Sequence, residues 1–421
     1  MPLRGESMII NRDNYLSELL LRRRNGMIKV ITGLRRAGKS TLLTKIFRNH
    51  LLAEGVSPDH ILEVALDDRR QAKLRDPDAM LAWIEGSLKD NGLHYLILDE
   101  VQFLQDFAEV LNSCLHIDNL DVYVTGSNSR FLSTDVITEF RGRGDEIHIF
   151  PLAFAEFLPA SGLPFRKALD DYLRYGGLPY ILSCQTEKQK MDYLSRLFRE
   201  VYVKDLVERN HLQHPAEMEE LMRFYASSVG SLSSLRKLAD TFMSVKGVSL
   251  SVNTIGTYSG HLEDAFLISK AMRYDIKGRR YIDSPQKYYF EDLGIRNACL
   301  GFRQMEQNHL MENLIYNELR HWGFSVDVGN IHQPGRSGQT RQTLEVDFVA
   351  NQGHRRYYIQ SAYQIPDDEK REQELRPLLK INDAFRKILV TFDGLPPYHN
   401  EDGILILALE DFLKGPESMD L

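Results

Sequence analysis

The 421-residue sequence predicts an α/β chain. Its parts are a P-loop NTPase core on a parallel sheet, a helical lid, a winged helix-turn-helix and a C-terminal α/β domain. Three observations predict this. A glycine loop of the form G-x-x-x-x-G-K-[ST] lies between a strand-like and a helix-like segment. A second buried run ends in an Asp-Glu pair. The α/β pattern then lapses into helices and resumes only after about residue 300.

The first element is "MIKVITG", an apolar run with β-branched residues that reads as a buried parallel strand. The loop Gly33-Leu34-Arg35-Arg36-Ala37-Gly38-Lys39-Ser40 follows, and then "KSTLLTKIFRNH" at helical spacing. Gly33 and Gly38 permit a tight turn that aims backbone N–H groups at phosphate oxygens. Lys39 brings a point charge to the β- and γ-phosphates, and the helix start favours anions. Ser40 is the candidate Mg²⁺ ligand, with the Thr41 hydroxyl beside it.

"LHYLILDEVQFL" supplies the second strand, ending in Asp99 and Glu100. Asp99 suits a Mg²⁺ held through water. Glu100 suits polarisation of an attacking water, which favours hydrolysis over binding alone. A third strand, "LDVYVTGSNSRFL", ends in Thr125-Gly126-Ser127-Asn128, and Asn128 is a candidate contact to the γ-phosphate or the water. Arg141 and Arg143 then stand near the end of an expected helix. Either is a candidate arginine finger toward a neighbour's nucleotide; a solvated arginine pair is the alternative.

Composition bounds the rest. The chain is 43% hydrophobic and 26% charged, ordinary for a folded multi-domain protein. Its three cysteines, Cys114, Cys184 and Cys299, have no pairing or metal spacing, so a cytoplasmic location is expected. No run approaches the ~20 apolar residues of a membrane span, and "MPLRGESMIINRDNYL" lacks a signal-peptide core. A formal charge of −7 excludes indiscriminate polyanion binding.

Four segments are expected: a P-loop core over 1–160, lid and connector over 161–215, a winged-helix module over 216–298, and a last domain over 299–421. In the lid, "YLRYGGLPYIL" breaks a helix at Gly176-Gly177 and restarts one at Pro179. One reading is a helix corner; the other is a lid whose Pro179 packs on the base and senses the nucleotide. In the third segment, three helices precede two strands joined by "IKG". The third helix is expected over Val252–Phe266, with Ile255, Tyr258, Leu262 and Phe266 inward. That helix has no Lys or Arg. The hairpin has six cations (Lys270, Arg273, Lys277, Arg279, Arg280, Lys287), so DNA contact through a wing and protein contact alone both stay open.

In the last segment, Glu312 and Glu318 on a helix, Asp347 on a strand and Gln360 on the next resemble the order of PD-(D/E)xK nucleases. Gln360 stands where a metal-binding Glu is needed and Ala362 where the lysine belongs. A nuclease-like fold is therefore expected with its chemistry lost.

Taken in order, "GLRRAGKS", "ILDEVQ", "TGSNSRFLS", "RGRGDEIHIFPLAFAEFL", "YGGLPYIL", "YVKDL", "KYYFEDLGIRNA" and "EVDFVA" resemble a family of bacterial and archaeal ATPases. Its members join an AAA+-type P-loop domain to a C-terminal domain of unknown function. The resemblance implies ATP as the nucleotide, with Mg²⁺, and fits the lack of an N-K-x-D-like guanine motif. "GGLP" is similar to the lid motif of signalling ATPases that switch between ADP and ATP, which implies a protein partner as the alternative load. A homo-oligomer fits the arginine-finger reading; no membrane association is expected. Arg35 and Arg36 look characteristic of the family and add positive charge near phosphate.

Overall fold

The computed structural model describes residues 9–126, 140, 142–210, 212, 215–333 and 342–421. The chain divides into two compact units, Met1–Pro151 and Leu152–Leu421.

In the first unit, α1 (Asp13–Leu21) precedes β1 (Ile28–Thr32). Helix α2 starts as Lys39–Thr41, widens to a π-helical stretch over Leu42–Phe47 and ends as Arg48–Ala53. Then come β2 (Ile61–Ala65), α3 (Pro77–Ser87), β3 (His94–Asp99), α4 (Phe107–Cys114), β4 (Leu120–Thr125) and β5 (Gly144–His148). The strands form one parallel sheet in the order β2-β3-β4-β1-β5. Strands β1 and β3 are buried along their whole length, which is why they read as unbroken apolar runs. Val30, Leu96, Leu98 and Val122 pack with Met80 and Ile84 of α3 and Val110 and Leu111 of α4. Phe47 of α2 lies 4.6 Å from Tyr123 and edge-on to Tyr95.

In the second unit, α5 (Phe154–Ser161) and α6 (Phe165–Tyr175) lead to a corner at Gly176-Gly177 and a short 3₁₀ turn, Pro179–Ser183. The corner is pinned by the buried Asp292 carboxylate, which accepts the N–H groups of Gly177 and Ile295 at 2.9 Å each. Gly176 has φ +74°, and a Cβ there would meet that carboxylate at 2.4 Å. Glycine is therefore required for close approach as well as for turning. Helix α7 (Glu187–Arg196) continues through Leu197–Val203 to Lys204–Arg209.

Helices α8 (Pro215–Ser227), α9 (Leu235–Thr241, extended by Phe242–Lys246) and α10 (Val252–Asp264) precede the hairpin β6 (Ile268–Asp275) and β7 (Arg280–Phe290). This is a winged helix-turn-helix. Ser251 caps α10 through the Thr254 N–H, and Ile255, Tyr258 and Leu262 face inward. The helix stops two residues short of the expected Phe266, which takes a left-handed turn at φ +56°.

The remaining elements are α11 (Leu293–Cys299), α12 (Gln307–His321), β8 (Ser325–Gln333), β9 (Gln342–Gln352), β10 (Arg355–Ala362), α13 (Asp368–Leu379), β11 (Arg386–Thr391), β12 (Tyr398–His399), β13 (Leu405–Ala408) and α14 (Leu409–Phe412). The hairpin does not stand apart from them. Strand β6 pairs in parallel with β8, and one eight-stranded sheet runs β12-β13-β11-β10-β9-β8-β6-β7. Period-2 patterning identifies strands but not their neighbours, so an expected boundary at 298 falls between strands of the same sheet.

Glu318 of α12 is fully buried. Its Oε1 accepts the Phe154 N–H at 2.8 Å and its Oε2 meets no donor among the described residues, so burial pushes the carboxyl up to about 8. A carboxyl protonated when folded and ionised when unfolded supports folding fully below about pH 4.5 and loses that support as pH rises toward 8. In urea titrations across that window, this residue should remove about 1.4 kcal/mol of stability per pH unit. Glu318→Gln should flatten that part of the profile.

Candidate nucleotide-binding site

The phosphate loop leaves β1 at Gly33 and enters α2 at Lys39. Gly33 (φ +129°), Arg36 (φ +72°) and Gly38 (φ +105°) are all left-handed, so the chain turns sharply three times in six residues. A Cβ on Gly33 would meet the Ile149 carbonyl oxygen at 2.1 Å. Leu34 and Ala37 are buried and anchor the loop; Arg35 is half-buried and Arg36 is exposed. The Lys39 ammonium spans the turn, donating to Gly33 O at 2.8 Å and Leu34 O at 3.1 Å.

Ser40 Oγ donates to Asp99 Oδ1 at 2.9 Å, and the Thr125 hydroxyl donates to the same oxygen. Strand β3 is not the direct neighbour of β1: β4 lies between them, and its last residue, Thr125, reaches across to Asp99. Burial raises the Asp99 carboxyl above its ordinary value; the two hydroxyl donors oppose that shift, and Glu100 adds to it. A hydroxyl and a carboxylate at this separation offer the all-oxygen donors that Mg²⁺ takes, with water completing the shell. Glu100 has a left-handed backbone (φ +54°), its N–H donates to Thr125 Oγ1 at 2.9 Å, and its carboxylate accepts from the Gln102 amide. Thr41 follows half-buried in the first turn.

Arg12 was not legible as part of this site. It is 5% exposed, yet it donates to Ala37 O at 3.2 Å and Phe150 O at 2.9 Å, tying the loop to the segment after β5. One arginine in the string "NRDNY" carries no local signal; only the fold brings it within reach of residue 37.

Arg143 is exposed, and its carbonyl accepts the Ile28 N–H at 2.9 Å. It therefore sits where β1 begins, about one strand length, roughly 15 Å, from the loop at the other end. It does not join its own chain's Lys39. Asn128 and Arg141 lie outside the described residues. Pro179 opens the 3₁₀ turn after the Gly176-Gly177 corner in the second unit.

The hairpin corrects one expectation. Lys287 is not on a surface for phosphates: it is 2% exposed, 2.8 Å from both Glu312 and Glu345 and 3.4 Å from Asp347. Burial opposes its charge, but Glu312, Asp347 and Glu345 outweigh that and hold the ammonium above its ordinary value. Tyr289 also donates to Glu312 at 2.7 Å, and burial still lifts Glu312 to about 7. Asp347 accepts the Ser361 N–H at 2.9 Å, while the Gln360 amide donates to Glu374 at 3.3 Å and its oxygen accepts the Asp347 N–H at 3.4 Å. Of the other hairpin cations, Lys270 pairs with Glu263 and Arg273 donates to Asn330. Lys277, Arg279 and Arg280 remain exposed at the tip.

Residues 25–158 match the model of an AAA domain, and residues 166–306 match a domain of unknown function, DUF8612. An uncharacterized protein of Haemophilus influenzae is 32% identical over 414 residues, covering 96% of this chain and 98% of that one. An uncharacterized protein of Methanocaldococcus jannaschii, MJ1544, is 25% identical over 433 residues, covering 98% and 90%. Among solved structures, the Aeropyrum pernix ORC1 protein in complex with DNA has a TM-score of 0.32 at 13% identity, covering 70% of this chain and 93% of that one. CDC6P from Pyrobaculum aerophilum has a TM-score of 0.30 at 11% identity, covering 75% and 97%. With a phosphate loop, a carboxylate at the end of β3 and a relative aligned along almost its full length, the chain belongs to a bacterial and archaeal family of AAA+-type P-loop proteins.

Proposed function

We propose that the chain binds ATP with Mg²⁺ at this loop, hydrolyses it and converts nucleotide state into a conformational change. The observation that carries the reading is the hydroxyl–carboxylate pair Ser40–Asp99 directly after the Lys39 turn. In this reading the loop N–H groups from Leu34 to Thr41 and the Lys39 ammonium hold the phosphates, while Ser40 and Asp99 hold Mg²⁺. Glu100 orients the attacking water and Asn128 the γ-phosphate. Arg35 and Arg36 add charge at the rim.

Arg143 belongs to catalysis only in a homo-oligomer, because it stands at the far end of its own sheet. The proposed compartment is the cytoplasm. Cys114, Cys184 and Cys299 are free thiols, and no helix among the described residues is long and apolar enough to cross a membrane.

A second reading concerns the load. Lys277, Arg279 and Arg280 at the exposed hairpin tip favour docking to a nucleic-acid backbone. The alternative is an ADP/ATP switch acting on a protein partner, with low basal turnover. Nuclease chemistry is not proposed, since the Lys287 ammonium already sits among the three carboxylates where a divalent ion would compete.

Lys39→Ala should weaken ATP binding roughly 10- to 100-fold, the worth of a charged hydrogen bond, in calorimetric titrations. Glu100→Gln should bind ATP normally and hydrolyse it roughly 100-fold more slowly or worse in a phosphate-release assay. Normal turnover in Glu100→Gln would remove the hydrolytic role given to that residue. Replacing Arg279 and Arg280 with Ala should weaken DNA binding and lower its log–log salt slope by about one per lost phosphate contact. A slope unchanged in that double variant would redirect attention to a protein partner.

A further inference from the structure

We propose that the first unit carries a transition-metal site, built from His60, Asp90 and His94, at the opposite end of its sheet from the phosphate loop. One donor atom from each of the three side chains lies within 4.8 Å of the other two. The register explains the meeting. Ile61 pairs with Tyr95, so the residues preceding that pair, His60 just ahead of β2 and His94 as the first residue of β3, stand side by side where the two parallel strands begin. Their rings lie 4.3 Å apart at the centroids. Asp90 comes from the loop between α3 and β3.

Several independent features make this more than a chance grouping. His94 is fully buried. Its Nδ1 is 2.8 Å from Gly92 O, a carbonyl that can only accept, so Nδ1 carries the proton. The lone pair is then on Nε2, which is buried and has no hydrogen-bond partner among the described residues. A buried acceptor left without a donor is unfavourable, and a cation would satisfy it. Asp90 Oδ1 accepts the Gly92 N–H at 2.7 Å, which leaves Oδ2 directed at His60 Nε2, 3.1 Å away.

Each of these two ligands therefore has its other polar atom tied to the backbone of Gly92, the outer-shell arrangement that orients metal ligands. The Asn119 amide holds the same loop through Asp90 O and Gly92 O. A Cβ on Gly92 would meet the His60 ring at 2.7 Å and the Asp90 carboxylate at 2.8 Å, so a side chain there has to displace both ligands.

Two imidazole nitrogens and one carboxylate select a borderline transition dication such as Zn²⁺ over Mg²⁺ or Ca²⁺. Donors around a tetrahedral zinc stand roughly 3.3 Å apart. His60 Nε2 and Asp90 Oδ2, 3.1 Å apart, already meet that spacing, so binding asks only that these two more exposed ligands move together toward His94 Nε2. On binding, the neutral His60 imidazole moves its one ring proton from Nε2 to Nδ1 through solvent, which frees the Nε2 lone pair for the metal, and a water fills the remaining position. A clamp here fixes the starts of β2 and β3, the second of which carries Asp99 and Glu100 at its far end.

The test uses the full chain, stripped with chelator and kept in excess Mg²⁺ so that oxygen-only sites are filled. Zn²⁺ is added by calorimetric titration, and Co²⁺ is used as a spectroscopic stand-in. The expected result is one equivalent of Zn²⁺ and a Co²⁺ visible spectrum of mixed nitrogen and oxygen ligation. Binding should be at least tenfold weaker in His60→Ala and in Asp90→Ala, with ATP affinity unchanged. Because these two residues are partly exposed, the variants should fold; a Gly92→Ala change gives a third, independent disruption. Absence of Zn²⁺ binding in the wild type, or binding equally tight in both ligand variants, would overturn the proposal.

Discussion

One carboxylate oxygen organises the nucleotide end of the first unit. Asp99 Oδ1 accepts hydroxyls from Ser40, just after the glycine loop, and from Thr125, at the end of the intervening strand. Thr125 also accepts the Glu100 N–H, so both acidic residues are positioned from β4 rather than from β1. Hydrogen bonds to a charged acceptor are worth about 1.5–3 kcal/mol each, enough to hold a partly desolvated carboxylate ready for a cation. The sharp backbone at Gly33, Arg36 and Gly38 is tolerable because these bonds, the Arg12 clasp and the buried Leu34 and Ala37 fix the loop from both sides.

The second unit has a comparable centre with a different outcome. Lys287 comes from the hairpin, Glu312 from a helix, and Glu345 and Asp347 from the strand after β8. An ammonium held by three carboxylates stays charged despite burial, and breaking such a group by removing one member typically costs 3–5 kcal/mol. The lysine missing at position 362 is thus matched by one supplied from elsewhere in the chain. Here it serves as the counter-ion that closes the cluster.

Local patterns revealed much of this, and the failures have physical causes. The loop, the Asp-Glu pair, the glycine corner and the strands that carry Asp347 and Gln360 were legible because glycine placement, apolar runs and alternation are local signals; β8 and β12 were not legible. Arg12, the Thr125 bridge and the burial of Lys287 depend on residues 25, 26 and 60 positions away, respectively. No window of sequence contains both partners. Lys287 misleads for a further reason: a lysine in a strand ordinarily faces water, and only the carboxylates from α12 and β9 make its burial favourable.

The shared sheet has a practical consequence for dissecting the protein. A chain cut just after α11, between hairpin and last domain, would strip β6 of the partner that pairs with Arg273, Tyr274 and Asp275. It would also strand Lys287 without three of its counter-charges. The product would present a raw β-edge and a lone buried cation together, a combination that invites self-association. Fragments that behave well in solution should therefore keep the hairpin and everything after it as one piece.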